Sequence, residues 1–201
     1  MIYANFLVNL ITGASLVFSS AFLAVPAINV PINFKAAAIP KVPFYSQFSD
    51  ISSPKWQKVS CGIASLAMLI EFYRPGAVSV NELLNEGISS GAFIYGAGWS
   101  HNGLVSLAKN YGLTGNVFDL SNLDATAAFV EFKKILENGP VIASVRYKFE
   151  PQNPIPHLVV INGIDENTVY FNDPAGAQAG GEIAVSDFLK SWKKRFIAIR
   201  A

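Results

Sequence analysis

The distribution of charged residues divides this 201-residue chain into two parts. Residues 1–34 contain no Lys, Arg, Asp or Glu, whereas all 15 basic and all 14 acidic residues occur from Lys35 onward. The charge-free part includes the apolar run from Leu7 to Val25, which is about long enough to cross a hydrocarbon core as a helix. The remaining part, about 160 residues, is long enough to bury the core of one globular domain.

We interpret residues 1–30 as a secretory signal peptide or an N-terminal membrane anchor, because the apolar run ends in small residues. Residues 31–40 are predicted to form an extended, proline-containing linker, and residues 41–201 are predicted to form the domain itself. A signal peptide usually begins with Lys or Arg, which are missing here, so a buried helix of the domain is the alternative interpretation. We therefore expect an exported protein, secreted or membrane-anchored, with its domain outside the cytoplasm and with this segment as its only membrane contact.

The overall composition argues against nucleic acid and anionic membranes as partners, and it contains a single cysteine. The net charge of +1 provides no basic excess of the kind that attracts nucleic acid or an anionic membrane surface. Cys61 is the only cysteine, so no disulfide can form within the chain. In an exported protein, a single unpaired thiol is expected to be reactive or to form an intermolecular bond.

Helical periodicity occupies the first part of the domain, and strand patterns follow from Pro140. This order predicts an α+β fold in which N-terminal helices pack on an antiparallel sheet. Helices are predicted over Cys61–Tyr73, Ser79–Glu86 (opened by the capping box Ser79-x-x-Glu82), His101–Tyr111, Asp124–Asn138 and Asp187–Trp192. Strands are predicted over Val141–Tyr147, Leu158–Ile164, Thr168–Asn172 and Phe196–Arg200. The glycine-rich segment 87–103 is predicted to be a long loop between helices.

The position of Cys61 at the first turn of its helix suits a nucleophile. Unpaired backbone amides and the positive end of the helix dipole stabilise a thiolate there, and the thiolate is the species that attacks. A small, buried and chemically inert cysteine is the alternative interpretation. The position of Cys61 does not decide between the two.

His157 is the candidate base, because an antiparallel hairpin centred near residue 166 places it opposite residue 175 or so, close to Asp173. A carboxylate at Asp173, or the amide of Asn172, would orient the imidazole toward the thiol. His101 is the only competing histidine, and at the first turn of its helix it is more often solvent-facing or locally bonded.

Further candidate site residues accompany Cys61, His157 and Asp173 in the sequence. Gln47 and Gln57 precede Cys61 by 14 and 4 residues, and either side-chain amide could stabilise an oxyanion together with the Cys61 backbone N–H. The glycine-rich segment is expected to border the substrate cleft, with Trp99 and Tyr95 as its apolar contacts. No HExxH, CxxC or clustered His/Asp/Glu set occurs in the sequence, which argues against a metal site.

Six blocks of this sequence, in this order, resemble the standalone branch of the bacteriocin-processing cysteine peptidases, which are papain-like enzymes. The resemblance covers roughly residues 41–201 and is far more specific as a set than any one block. The blocks are VPFYSQ (42–47), CGIASLAMLI (61–70), GWSHNGLVSLAKNYGL (98–113), GPVIASV (139–145), HLVVINGID (157–165) and VYFNDPAG (169–176).

The resemblance implies a papain-like fold and thiol hydrolysis of peptide bonds, with Cys61, His157 and Asp173 as the triad and a peptide or protein as substrate. It implies no cofactor, and it favours Gln47 as the oxyanion donor. The glutamine of the best-known members lies closer to the cysteine, so Gln57 stays open. Other papain-like thiol enzymes, such as cell-wall amidases or acyl transferases, and a catalytically silent binding domain are the alternatives.

Overall fold

The computed structural model describes residues 39–201, and the predicted α+β class is confirmed in this part of the chain. The predicted signal or anchor over residues 1–30, and nearly all of the predicted linker, lie outside the described residues. Among residues 39–201, no helix has the length and apolar character needed to cross a membrane.

The chain alternates between helical and extended segments in its first half and is mostly strand in its second. The helices are α1 (Pro54–Gln57), α2 (Cys61–Tyr73), α3 (Val80–Ser89), α4 (His101–Lys109), α5 (Ala125–Leu136) and α6 (Val185–Ser191). The strands are β1 (Phe93–Ile94), β2 (Gly98–Trp99), β3 (Thr114–Asp119), β4 (Val141–Arg146), β5 (Pro156–Asp165), β6 (Thr168–Asn172), β7 (Gly181–Ala184) and β8 (Trp192–Arg200). A short 3-10 turn, Tyr147–Phe149, follows β4.

An antiparallel sheet with the strand order β3-β8-β4-β5-β6-β7 forms the centre of the domain. Side chains alternate across it, so Ile142 packs toward α2, α3 and α4 while its neighbour Ala143 packs toward α5 and α6. Both faces are therefore buried. The apolar residues of α2, from Ile63 to Ile70, are fully buried against the first face, which anchors the start of α2 beside the sheet.

The glycine-rich segment 87–103 is not the long loop that the sequence predicted. Its first residues complete α3, its centre forms the β1–β2 hairpin, and its last residues begin α4. Trp99 organises this region, because its ring packs so closely over two glycines that a Cβ at Gly62 would lie 2.8 Å from Trp99 Cβ and a Cβ at Gly87 2.6 Å from its ring. Gly62 and Gly87 provide room for the Trp99 side chain. Segment 87–103 is therefore an ordered wall beside the start of α2.

Candidate active site

Cys61 begins α2 and lines a cavity of about 870 Å³ that opens between the helical layer and the sheet. The helices α3, α4 and α5 each have a side-chain cap at the N-terminus, from Ser79, Ser100 and Asp124. The corresponding residue of α2, Ser60, instead donates its hydroxyl to the Trp56 carbonyl at 2.8 Å and caps nothing. The first-turn amides of α2 are therefore free of a side-chain cap next to the Cys61 thiol, which suits a negative charge there.

His157 and Asp173 approach each other from β5 and from the end of β6. The pairing Val160↔Asn172 places residue 157 opposite residue 175, as the hairpin prediction required. His157 Nε2 lies 2.6 Å from Asp173 Oδ1, and His157 is only 4% exposed. Since Nε2 is taken by the carboxylate, Nδ1 is the ring nitrogen left for the thiol of Cys61.

The surroundings of His157 favour its charged form. Burial by itself lowers the pKa of this imidazole, but the hydrogen bonds and negative charges of Asp173 and Cys61 outweigh burial and raise the pKa to about 9. A protonated His157 is therefore the form that these contacts favour around neutral pH.

Asp173, and not Asn172, is the residue that contacts the imidazole of His157. The Asn172 side chain is buried among other partners: its Nδ2 donates to the Val42 carbonyl at 3.1 Å, and its Oδ1 accepts from the Gly180 backbone N–H at 3.0 Å. It holds the segment before Gln47 against β6, while Asp173 contacts the imidazole.

Gln47 lines the cavity and is 3% exposed, whereas Gln57 does not line it. The Gln47 backbone N–H donates to the Pro174 carbonyl at 2.8 Å, which ties this residue to the loop that carries Asp173. Its Nε2 donates to the Gln57 carbonyl at 2.8 Å, and the second hydrogen of that amide remains for a ligand. The Gln57 side chain points elsewhere and donates to the Ile51 carbonyl at 2.9 Å.

His101 lies in the same cavity but has a different partner. Its Nε2 is 2.9 Å from the Ser144 hydroxyl of β4, and burial together with the positive charge of Arg195 lowers its pKa. A neutral imidazole bonded to a serine is thus the arrangement there. His157, and not His101, is the histidine that faces Cys61.

Of the two predicted apolar contacts, Trp99 lines the cavity and Tyr95 does not. Trp99 lines the cavity, but it is 6% exposed and its indole N–H donates to the Val59 carbonyl at 2.6 Å, so it is chiefly part of the wall. Tyr95 is 88% exposed and lies outside the cavity lining, stacked edge-on against Phe93. Phe93, which the sequence did not single out, lines the cavity in its place.

The sequence analysis also missed five polar residues of this cavity: Lys58, Ser144 on β4, Tyr147, and Lys193 and Arg195 on β8. The available signal was alternation, because Lys193 and Arg195 are four and two residues before Ile197, which faces the helices α2 to α4. Among described residues that line the cavity, the charged ones are Lys58, Lys193 and Arg195, and none is Asp or Glu.

Comparison with known proteins places this chain in a family. The Peptidase_C39 like family matches residues 39–197, which is most of the chain. The chain belongs to this family. The resemblance read from the six sequence blocks is therefore confirmed, and the family is one of cysteine peptidases. A comparison with curated protein sequences gives no significant match.

Solved structures show the same papain-like fold at low sequence identity. A putative C39-like peptidase from Bacillus anthracis has a TM-score of 0.60 and 19% identity, covering 80% of this chain and 94% of its own. A double glycine motif protease from an AMS/PCAT transporter, solved with its leader peptide, has a TM-score of 0.55 and 22% identity, covering 80% and 91%. The peptidase domain of Streptococcus ComA has a TM-score of 0.53 and 19% identity, covering 71% and 92%.

Proposed function

We propose that this protein is a cysteine peptidase that hydrolyses peptide bonds, with Cys61 as nucleophile, His157 as acid and base, and Asp173 as the group that orients the imidazole. The observation that supports this most is the approach of three side chains from three elements: the start of α2, the start of β5 and the end of β6. The peptide class of substrate is supported by the related transporter protease, which was solved with a leader peptide.

The proposed reaction follows from the charges at this site. The Cys61 thiolate attacks the scissile carbonyl carbon, and the oxygen becomes an oxyanion within reach of the Gln47 amide and the first-turn amides of α2. His157 Nδ1 gives its proton to the leaving amine, the C–N bond breaks, and a thioester remains. The neutral imidazole then takes a proton from water, whose oxygen attacks the thioester, and the carboxylic acid leaves as the thiolate returns.

Labelling with a peptide electrophile tests this proposal without knowledge of the natural substrate. We expect a peptidyl acyloxymethyl ketone to alkylate Cys61 stoichiometrically, with the adduct mapped by mass spectrometry and absent from Cys61→Ser. Turnover of unlabelled peptides should cease as labelling proceeds. A protein that cleaves no peptide and whose Cys61 reacts no faster with the peptidyl reagent than with iodoacetamide would contradict the proposal and favour the silent binding domain. Products with an amine joined to the acyl group would identify an acyl transferase instead.

The pH profile should report the interaction between His157 and Asp173. In the wild-type protein, kcat/KM is expected to fall as the pH rises through about 9, because the imidazolium that protonates the leaving amine is lost there. Asp173→Ala removes a charge-assisted hydrogen bond worth about 1.5–3 kcal/mol, which corresponds to about 10- to 150-fold in kcat/KM. This variant should also shift the alkaline limb to lower pH. Asp173→Asn keeps an acceptor oxygen and should lose less; an unmoved limb in Asp173→Ala would contradict the assigned role.

A further inference from the structure

One corner of the cavity carries positive charge that the proposed chemistry does not use. We name it the basic corner and define it by four residues: His101, Ser144, Lys193 and Arg195. His101 Nε2 lies 2.9 Å from the Ser144 hydroxyl, so these two side chains bind each other. Lys193 and Arg195 lie two residues apart on β8, on the face that lines the cavity. The corner shares its cavity with Cys61 and His157, so a substrate held at the thiol can extend into it.

The cations of the corner lack partners, unlike the other cations of β8. Within residues 39–201, neither Lys193 nor Arg195 has a carboxylate within 4.0 Å or donates a side-chain hydrogen bond, and the Arg195 Nε is buried with no acceptor. By contrast, Lys194 donates to the Ser121 carbonyl at 3.1 Å and Arg200 to the Pro140 carbonyl at 2.9 Å. A buried, unsatisfied guanidinium N–H costs free energy unless a ligand supplies an acceptor.

An irregularity of the sheet produces this arrangement. β4 and β8 pair as Ala143↔Phe196 and then as Val145↔Trp192, so β8 has two more residues than β4 across this interval. Lys194 absorbs the irregularity with a φ of 55°. The bulge leaves Lys193 and Arg195 on the cavity side while Lys194 binds carbonyls elsewhere. Bulges often re-aim side chains next to active sites.

Electrostatics favour an anion at this position. Burial and the charges of Arg195 and Arg146 lower the pKa of Lys193, which shows that the cations repel one another. Asp119 is the cross-strand neighbour of Arg195, but its carboxylate accepts from the Ser121 backbone N–H at 3.0 Å and forms no ion pair with Arg195. A ligand carboxylate would relieve this repulsion and could accept two parallel bonds from the guanidinium.

We propose that the basic corner binds a carboxylate of the peptide substrate through Arg195 and Lys193, so that the enzyme selects peptides carrying an acidic group near the scissile bond. This inference rests on the proposed peptidase function and specifies its substrate class. The carboxylate can come from an Asp or Glu side chain or from the C-terminus of a short peptide, and the two sources are chemically equivalent at the guanidinium.

Competition between matched peptides tests the inference. A peptide library with Glu or Gln at each varied position, prepared as free acids and as C-terminal amides, is digested, and products are quantified by mass spectrometry. We expect wild-type protein to favour Glu over Gln by about tenfold or more at one position. The ratio should fall close to one in Arg195→Gln, fall partly in Lys193→Gln and Arg195→Lys, and rise in Asp119→Asn. Preference for free acids over amides, without a Glu preference, would assign the carboxylate to the C-terminus.

The control and the binding arm separate the two proposals. Lys190→Gln removes an equal charge from an exposed position that pairs with Asp187 on α6, away from the cavity lining, and should keep the wild-type ratio. Immobilised Cys61→Ala protein, incubated with the same library, should retain Glu or free-acid peptides more than their neutral partners even where no hydrolysis is measured. Equal retention and equal cleavage of charged and neutral peptides would overturn the proposal that the basic corner binds a carboxylate. Absent labelling of Cys61 by the peptide electrophile would overturn only the proposed peptidase function.

Discussion

Replacing His157 by alanine is expected to lower kcat/KM for peptide hydrolysis by about 10²- to 10⁴-fold, the usual contribution of an acid–base group. The imidazole is 4% exposed, fixed by Asp173 at 2.6 Å and close enough to Cys61 for the thiol to raise its pKa. Without this cation, the thiolate loses its counter-charge and the leaving amine loses its proton donor. Initial rates on a cleaved library peptide, with folding checked by thermal unfolding, provide the measurement.

Alkylation by iodoacetamide separates His157 from His101. This small neutral reagent reports the thiolate without occupying the rest of the cavity, so its rate at neutral pH should fall in His157→Ala. His101→Ala should leave that rate unchanged, because His101 bonds to Ser144 and is neutral. The assignment would be wrong if His101→Ala suppressed alkylation while His157→Ala reacted normally.

The elements that carry the proposed catalytic residues could be predicted from local sequence. The helix α2 was predicted with its observed bounds, because its apolar spacing is regular and the Arg74-Pro75-Gly76 run ends it. The hairpin of β5 and β6 was predicted because strand pairing around a short turn fixes the register over a few residues. Short-range rules therefore paired His157 with Asp173 or Asn172 within one hairpin, whereas the helix position left the role of Cys61 open, and the resemblance of the six blocks implied the triad.

The elements that shape the cavity could not be predicted in the same way. The strand β3 pairs with β8 at the sheet edge through contacts such as Thr114↔Arg200, and its own alternation is weak because it is largely exposed. The glycine-rich segment read as a loop because of its glycine content, but Gly87 makes room for Trp99, a packing relation that has no local signature, and Gly91, Gly96 and Gly98 adopt positive φ around the β1–β2 hairpin. Alternation from Ile197 could have placed Lys193 and Arg195 on the cavity face, but the bulge at Lys194 is visible only from the pairing of β4 with β8.

The oxyanion donor was ambiguous for a similar reason. Sequence spacing placed Gln57 closer to Cys61 than Gln47, whereas the resemblance of the six blocks favoured Gln47, so the two criteria disagreed. In the folded chain, the Ser46–Gln47 segment is held by the Pro174 and Gly176 carbonyls, more than 120 residues away. The short helix α1 lies in the intervening segment and orients the Gln57 side chain toward Ile51. Long-range hydrogen bonds thus give Gln47 its position in the cavity.

Gln47→Ala is therefore expected to lower kcat by about 10²- to 10³-fold, the usual effect of losing one oxyanion donor, with a smaller change in KM. The amide is preorganised: its Nε2 is fixed on the Gln57 carbonyl at 2.8 Å, and its buried Oε1 has no partner among the described residues. The oxyanion exists only after attack, so the lost hydrogen bond should affect the transition state more than substrate binding.

Gln57→Ala is the matched control for this substitution. It removes the hydrogen bond to the Ile51 carbonyl at 2.9 Å but keeps the backbone carbonyl that holds Gln47. We expect a loss of about 1 kcal/mol in the free energy of unfolding, measured by denaturant titration, and a kcat within a few-fold of wild type. If Gln57→Ala lowered kcat more than Gln47→Ala while both variants stayed folded, the oxyanion donor would be Gln57, and the bond between Gln47 and the Gln57 carbonyl would have a structural role only.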